Sequence, residues 1–211
     1  MPTRSEGKKK KQLQFILLAD IPSRDYFLKG VYMTKKNILI TGRPGVGKTT
    51  LLQKVCTELE SFRPAGFVTR EIREKGQRQG FELFSLDGRR QILAHNRING
   101  QGRVGKYGVN VRGFDAFLDS LDLQSAETGF FAVDEIGKME CLSTRFVHIV
   151  RQILESNRPF LATIAVKGSG FIKEVKDRDD VELLSLNEKN REHMAGELAE
   201  LIRRLKGRAV G

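Results

Sequence analysis

The chain has 211 residues, 39% hydrophobic and 30% charged, with a formal net charge of +11. That is one domain's worth of core plus an appendage, so wholesale disorder is excluded, and 21 glycines without a three-residue period exclude a collagen-like chain. Two cysteines and three scattered histidines exclude a disulfide framework and a local zinc motif, as expected of a reducing cytosol.

Residues 1 to 35 show no sustained helical or strand periodicity. The lysine run Lys8 to Lys11 leads into Phe15 to Ala19, but Asp20 stops that apolar run far short of a signal-peptide core. No apolar run approaches the roughly 18 residues of a membrane span, so a cytoplasmic protein without membrane contact is expected. Residues 1 to 32 hold seven basic and three acidic side chains, and the remainder still carries +7. Basicity spread in this way suits nucleotide phosphates or a nucleic acid, and equally a solvated surface.

From Lys36 onward, short apolar runs alternate with amphipathic stretches, so a domain over residues 36–211 is expected behind an extension over 1–35. Asn37 to Thr41 reads as a buried strand, a glycine-rich turn follows, and Leu51, Leu52, Val55, Cys56 and Leu59 share one helical face. Gly66 to Thr69 and Gly80 to Leu86 read as hairpin strands joined through Gly76, with further strands at Gln91 to Ala94 and Tyr107 to Val111. Phe114, Phe117, Leu118 and Leu121 mark a helix, Phe130 to Val133 a strand ending in acids, and Phe146, Val150, Ile153 and Leu154 another helix. Strands at Phe160 to Val166 and Val181 to Leu186 precede a last helix through Met194, Leu198, Leu201, Ile202 and Leu205, with Asn187 as its expected N-cap. The alternation predicts an α/β fold of three layers, a mostly parallel mixed sheet between helices.

Gly42-Arg43-Pro44-Gly45-Val46-Gly47-Lys48-Thr49 matches G-x-x-x-x-G-K-[ST] in full and lies where a strand should end and a helix begin. Glycines let backbone N–H groups turn inward around phosphate oxygens, and the helix N-terminus adds its positive dipole end. Lys48 would reach the β- and γ-phosphates and Thr49 would hold Mg²⁺, whereas an ordinary glycine-rich turn is the bland alternative. Mg²⁺ needs a further acid on a neighbouring strand tip, and Asp134 ends the Phe130-Phe131-Ala132-Val133 run. Glu135 follows and can polarise an attacking water, unless the pair is only an exposed strand end. A carboxylate in that place favours hydrolysis over transfer.

Around these residues the sequence resembles a family of small P-loop NTPases, the cancer-related nucleoside-triphosphatase and its archaeal and bacterial relatives. The likeness runs from about Lys36 to Leu205 and rests on Gly66 to Arg73, Gly76 to Phe81, Val104 to Val109, Val133 to Glu140 and Asn187 to Arg191. The resemblance implies a RecA-related mixed sheet and Mg²⁺-dependent hydrolysis of several nucleoside triphosphates at low turnover. It implies nucleotide contacts at Gly42 to Thr49, continuing to Thr50, and at Phe130 to Gly137, including Ile136. Family members start just before the first strand, which makes Met33 a natural start and gives residues 1 to 32 no role.

Other residues are open between function and structure. Lys138 lies near a γ-phosphate or on the surface; Arg178 and Arg191 are arginine-finger candidates or salt-bridge partners. Gln77 and Arg78 touch a substrate or partner, or only solvent. Cys56 and Cys141 are expected as small buried hydrophobes, and His95, His148 and His193 have no partner spacing. No [NT]-K-x-D pattern reads guanine, so broad base acceptance is expected. A P-loop kinase acting on a nucleoside or an RNA 5′ end, and a nucleotide-switched RNA-binding module, are the competing classes. Monomer is the default expectation.

Overall fold

The structure is a computed structural model and describes residues 35–99 and 102–208. The expected extension therefore lies outside the described residues, apart from Lys35. In chain order the elements are β1 (Asn37–Thr41), α1 (Lys48–Glu58), β2 (Ala65–Glu74), β3 (Gln77–Ser85), β4 (Arg90–His95), β5 (Arg103–Val104), β6 (Tyr107–Val109) and α2 (Val111–Ser120). There follow β7 (Phe131–Ile136), α3 (Thr144–Glu155), β8 (Phe160–Ile164), α4 (Phe171–Lys176), β9 (Val181–Ser185) and α5 (Met194–Arg208).

All nine described strands form one sheet in the order β5-β6-β4-β3-β2-β7-β8-β1-β9. From β2 to β9 the neighbours are parallel, and β3 to β6 add an antiparallel wing. The parallel strands are apolar throughout because helices cover both their faces: every residue of β1 and β8 is buried. One face packs against α1 and α5 through Ile38, Ile40, Leu52, Val55, Leu198 and Ile202. The other packs against α2, α3 and α4, with Phe67 edge-on to Phe114 and Phe117 at 5.8 and 5.9 Å between ring centres. Each such fully buried ring contributes roughly 1.5–3 kcal/mol through removal from water. These are the three expected layers.

Several boundaries differ from the expectation. The hairpin strands run on through the charged stretch, β2 to Glu74 and β3 from Gln77, because cross-strand pairs such as Glu71 with Arg78 favour pairing there. The strand expected through Val111 stops at Val109, since the Asn110 side chain accepts from the Gly113 N–H and starts α2. Asn187 does not cap α5. Its side chain accepts from the N–H groups of Lys189 and Asn190 and closes a turn of its own, and α5 begins only at Met194.

The register explains why a cleft forms. β2 pairs with β7 only through Ala65 to Phe67 against Phe131 to Val133, yet β2 continues to Glu74. Beyond the tip of β7 the β2–β3 hairpin therefore stands alone above the sheet edge. Pairing of β7 with β8 is also interrupted between Val133 and Ile136, which leaves Asp134 and Glu135 in the irregularity.

Candidate active site

The loop from Gly42 to Gly47 leaves the C-terminal end of β1, between β8 and β9, and enters α1 at Lys48. Gly47 takes φ of +107°, a left-handed conformation that a side chain would strain, and its carbonyl accepts from the Leu51 N–H. Without a side-chain cap on α1, its first N–H groups face the loop, which is the arrangement that receives an anion. Lys48 folds back so that Nζ donates to the Gly42 carbonyl at 3.1 Å.

Asp134 is 3% exposed and held from three elements. Thr49 Oγ1 donates to its Oδ2 at 2.6 Å, Thr163 Oγ1 on β8 donates to Oδ1, and the Thr69 N–H reaches Oδ2 at 3.4 Å. Thr69 Oγ1 also donates to the Asp134 carbonyl. The carboxylate is thus fixed beside the Thr49 hydroxyl, an oxygen-only pair of the kind a hard cation prefers.

Glu135 lies 3.9 Å from Lys48 Nζ. Burial pushes its carboxyl above the usual range, Lys48 and Lys176 oppose the rise, and Asp134 adds to it. Lys176 is itself lowered by burial and donates to the Ala165 and Val166 carbonyls, the latter at 2.8 Å, pinning the loop after β8 that walls the site.

Glu140 is a further acid of this site, buried to 5% exposure and pushed up to about 8, chiefly by burial with Glu135 and Asp134 adding repulsion. Backbone N–H groups of Glu140 and Gly137 partly offset this. A Cβ on Gly137 would come within 2.7 Å of Glu140 Oε2 and 3.0 Å of Glu135 Oε1, so the two carboxyls crowd one turn.

Lys48, Thr49, Asp134 and Glu135 line one cavity of about 910 Å³ together with Gly42, Arg43, Pro44, Gly45, Gly47 and Thr50. Val46 and Gly137 are not on its wall. Phe130, Phe131, Ala132, Val133 and Ile136 are buried in the two core clusters, alternating between faces, and act on the site by holding the strand that presents Asp134. The cavity continues past Glu135 to Arg70, Glu71, Arg78, Phe81, Val104, Lys138 and Met139. Of the Gln77-Arg78 pair, only Arg78 reaches it.

Both finger candidates follow the structural alternative: one is a salt-bridge partner and the other a solvated side chain. Arg178 is committed to Asp180 and Glu155 at 2.7 Å each, just before β9 and hence at the end of the strands opposite the loop. Arg191 is exposed and does not line the cavity, nor do His95, His148 or His193. Cys56 is buried and Cys141 half-buried; burial raises both thiols to about 12. Thr69, Thr163 and Lys176 escaped sequence reasoning, because a lone threonine or lysine has no spacing signal. Strand alternation from buried Phe67 would have placed Thr69 at the level of the acids. Among the described residues no helix is long and apolar enough to cross a membrane, and no group of three or more His, Cys, Asp or Glu side chains is placed to hold a metal.

A glycine-rich loop at the end of a central parallel strand, a helix opening from it and an acid-tipped strand two positions away in a layered α/β sheet define a P-loop NTPase fold. A family model described as NTPase matches residues 37–199, and the chain belongs to that family. The nucleoside-triphosphatase THEP1 of Thermotoga sp. strain RQ2 is 42% identical over 167 residues, which cover 79% of this chain and 95% of that protein. The Methanocaldococcus jannaschii protein of the same name is 33% identical, covering 78% and 96%. Among solved structures, THEP1 from Aquifex aeolicus superposes with a TM-score of 0.72 at 32% identity, covering 80% of this chain and 99% of that one. A human cancer-related nucleoside triphosphatase gives 0.66 at 34%, covering 80% and 97%.

Proposed function

We propose that this protein hydrolyses nucleoside triphosphates to the diphosphate and phosphate, with Mg²⁺, broad base acceptance and turnover below about one per second, and that residues 36–211 carry the activity. The observation that carries this is the juxtaposition, across one cavity, of Lys48, the Thr49–Asp134 pair and Glu135. The loop from Gly42 to Thr50 binds the phosphate chain through its backbone N–H groups, and Lys48 leaves the Gly42 carbonyl to meet the β- and γ-phosphates. Thr49 and Asp134 would hold Mg²⁺, which neutralises charge on the phosphates when bound; one or two protein oxygens suffice, because this ion keeps its waters and takes phosphate oxygens. Glu135 orients the attacking water and accepts its proton, and the walls after β7 and β8 limit access of bulk water.

Base acceptance is broad because the residues assigned here meet phosphates, which all nucleotides share. Turnover is slow because Arg178 and Arg191 stand away from the cavity and, of the arginines outside the loop that line it, Arg78 is engaged by Glu71 at 2.6 Å and Arg70 lies over the Phe84 ring at 4.3 Å; even P-loop GTPases with an arginine supplied in cis turn over at only about 10⁻² s⁻¹. The related THEP1 proteins carry nucleoside-triphosphatase in their names, which supports the same reading.

The test is Glu135→Gln, which keeps size and hydrogen-bonding reach and removes the proton acceptor. Phosphate release from MgATP should fall by about 10²- to 10⁴-fold with nucleotide affinity retained. A variant that turns over within threefold of the parent refutes the assignment of the base.

A further inference from the structure

Hydrolysis uses only half of the cavity. With the phosphate chain on the Gly42–Thr50 loop and its terminal phosphate between Lys48 and Glu135, the nucleoside leaves on the loop side. What lies beyond Glu135 is the side from which a nucleophile attacks in line. That side is built with more recognition than a water molecule needs. Phe81, edge-on to Tyr107 at 5.3 Å, packs with Val104 and Met139 on the sheet face opposite α1, so the cleft passes over the tip of β7 from one face to the other. The Arg78 guanidinium lies 5.3 Å from the Phe81 ring centre, is oriented by the Tyr107 hydroxyl at 3.2 Å, and is paired with Glu71 at 2.6 Å. Glu140 stands at the junction, beside Glu135 across the Gly137 turn.

A guanidinium held over an aromatic ring offers its outer side for a nucleobase to stack on, and a buried carboxyl offers the base's polar edge a donor or acceptor. We propose that the outer half of the cleft binds a nucleoside against the outer side of the stacked Arg78–Phe81 pair and beside Glu140, and that a hydroxyl of this nucleoside takes the γ-phosphoryl group in place of water. The proposal rests on the triphosphate reading of the inner half. In the step, Glu135 accepts the hydroxyl proton and the nucleoside oxygen forms a bond to the γ-phosphorus. The bond from that phosphorus to the β–γ bridging oxygen breaks, with its electron pair leaving on the nucleoside diphosphate. Glu135 then returns the proton to solvent. With the outer half empty, water takes the same position and phosphate is released.

The experiment gives the full chain Mg-ATP labelled at the γ-phosphate, with adenosine, guanosine, cytidine or uridine at millimolar concentration, and separates labelled phosphate from labelled nucleoside monophosphate. At least one nucleoside should divert label into its monophosphate. Phe81→Ala and Arg78→Ala should each lower the ratio of nucleoside monophosphate to free phosphate by about tenfold or more, as expected for loss of one stacking partner. Turnover by the parent with label only in free phosphate overturns this proposal and leaves the hydrolase reading intact; a ratio unmoved in both variants overturns the site. A parent that neither binds Mg-ATP nor releases phosphate overturns both readings.

Discussion

Replacing Glu140 by Gln should make the protein more stable, and increasingly so as the pH rises. In the fold this carboxyl is 5% exposed, faces Glu135 and Asp134, and is pushed from the usual 4.5 to about 8. Below pH 4.5 the side chain is protonated in both folded and unfolded chains, and the fold loses nothing. Between 4.5 and about 8 the unfolded chain releases a proton that the folded chain retains, so the unfolded state gains with each step in pH. Above about 8 the folded chain must carry a buried anion and the loss is complete. The interval spans about 3.5 pH decades at ~1.4 kcal/mol each, a ceiling on the order of 5 kcal/mol. Gln mimics the protonated acid in size, keeps an oxygen for the Gly137 and Glu140 N–H groups, and does not titrate. Urea unfolding of parent and variant without nucleotide, from pH 5 to 9, should give a gap of only about 1 kcal/mol or less at pH 5 and a widening gap in favour of the variant. At pH 8.5 even half of the ceiling raises Tm by about 5–10 °C in a domain of this size. A constant difference across the range refutes the burial argument, as does a variant that is less stable at pH 8.5.

Lys48→Ala should weaken triphosphate binding sharply, since it removes the charge that meets the β- and γ-phosphates; unchanged affinity in a nucleotide titration contradicts the phosphate cradle. Gly66→Ala should cost several kcal/mol or prevent folding, because the added methyl would sit 1.9 Å from the Ala132 carbonyl oxygen on β7 and the backbone there has φ of +140°. A circular-dichroism melt that matches the parent counts against the β2–β7 register. Cys56 should resist alkylation at pH 8 in the folded protein and react once urea unfolds it, since burial both covers the thiol and raises it to about 12. Stoichiometric labelling of the native protein at that residue would show otherwise.

The parallel half of the fold was legible because its signals are local. β1, β8 and β9 are short apolar runs, α1 and α3 show helical spacing, and the loop motif sits at the one strand-to-helix junction that can use it. The antiparallel wing was less legible. In β2 beyond Thr69 and β3 before Gly80, polar residues stabilise the strands by pairing across the hairpin, as Glu71 does with Arg78, so no apolar alternation marks them. Four site residues, Lys48, Thr49, Asp134 and Glu135, could be placed because glycines and strand ends constrain them. The outer half of the cleft could not. It joins residues from β3, β5 and the turn after β7, and only the sheet order shows that these elements meet.

The position of β1 has a consequence for how this molecule comes into being. The first of the described strands lies between β8 and β9, paired from Asn37 to Ile40 with Phe160 to Thr163 and from Asn37 to Thr41 with Val181 to Ser185. The Leu186 N–H closes on the Thr41 carbonyl at 2.7 Å, directly beneath the loop that leaves at Gly42. About 145 residues must therefore leave the ribosome after β1 before its second edge is covered, some 7–30 s at ordinary rates of synthesis. The β2–β3–β4 meander, whose partners are adjacent in sequence, has no such delay. A nascent chain thus completes the pairing of its local hairpin strands before that of β1, whose second edge waits for the last strand.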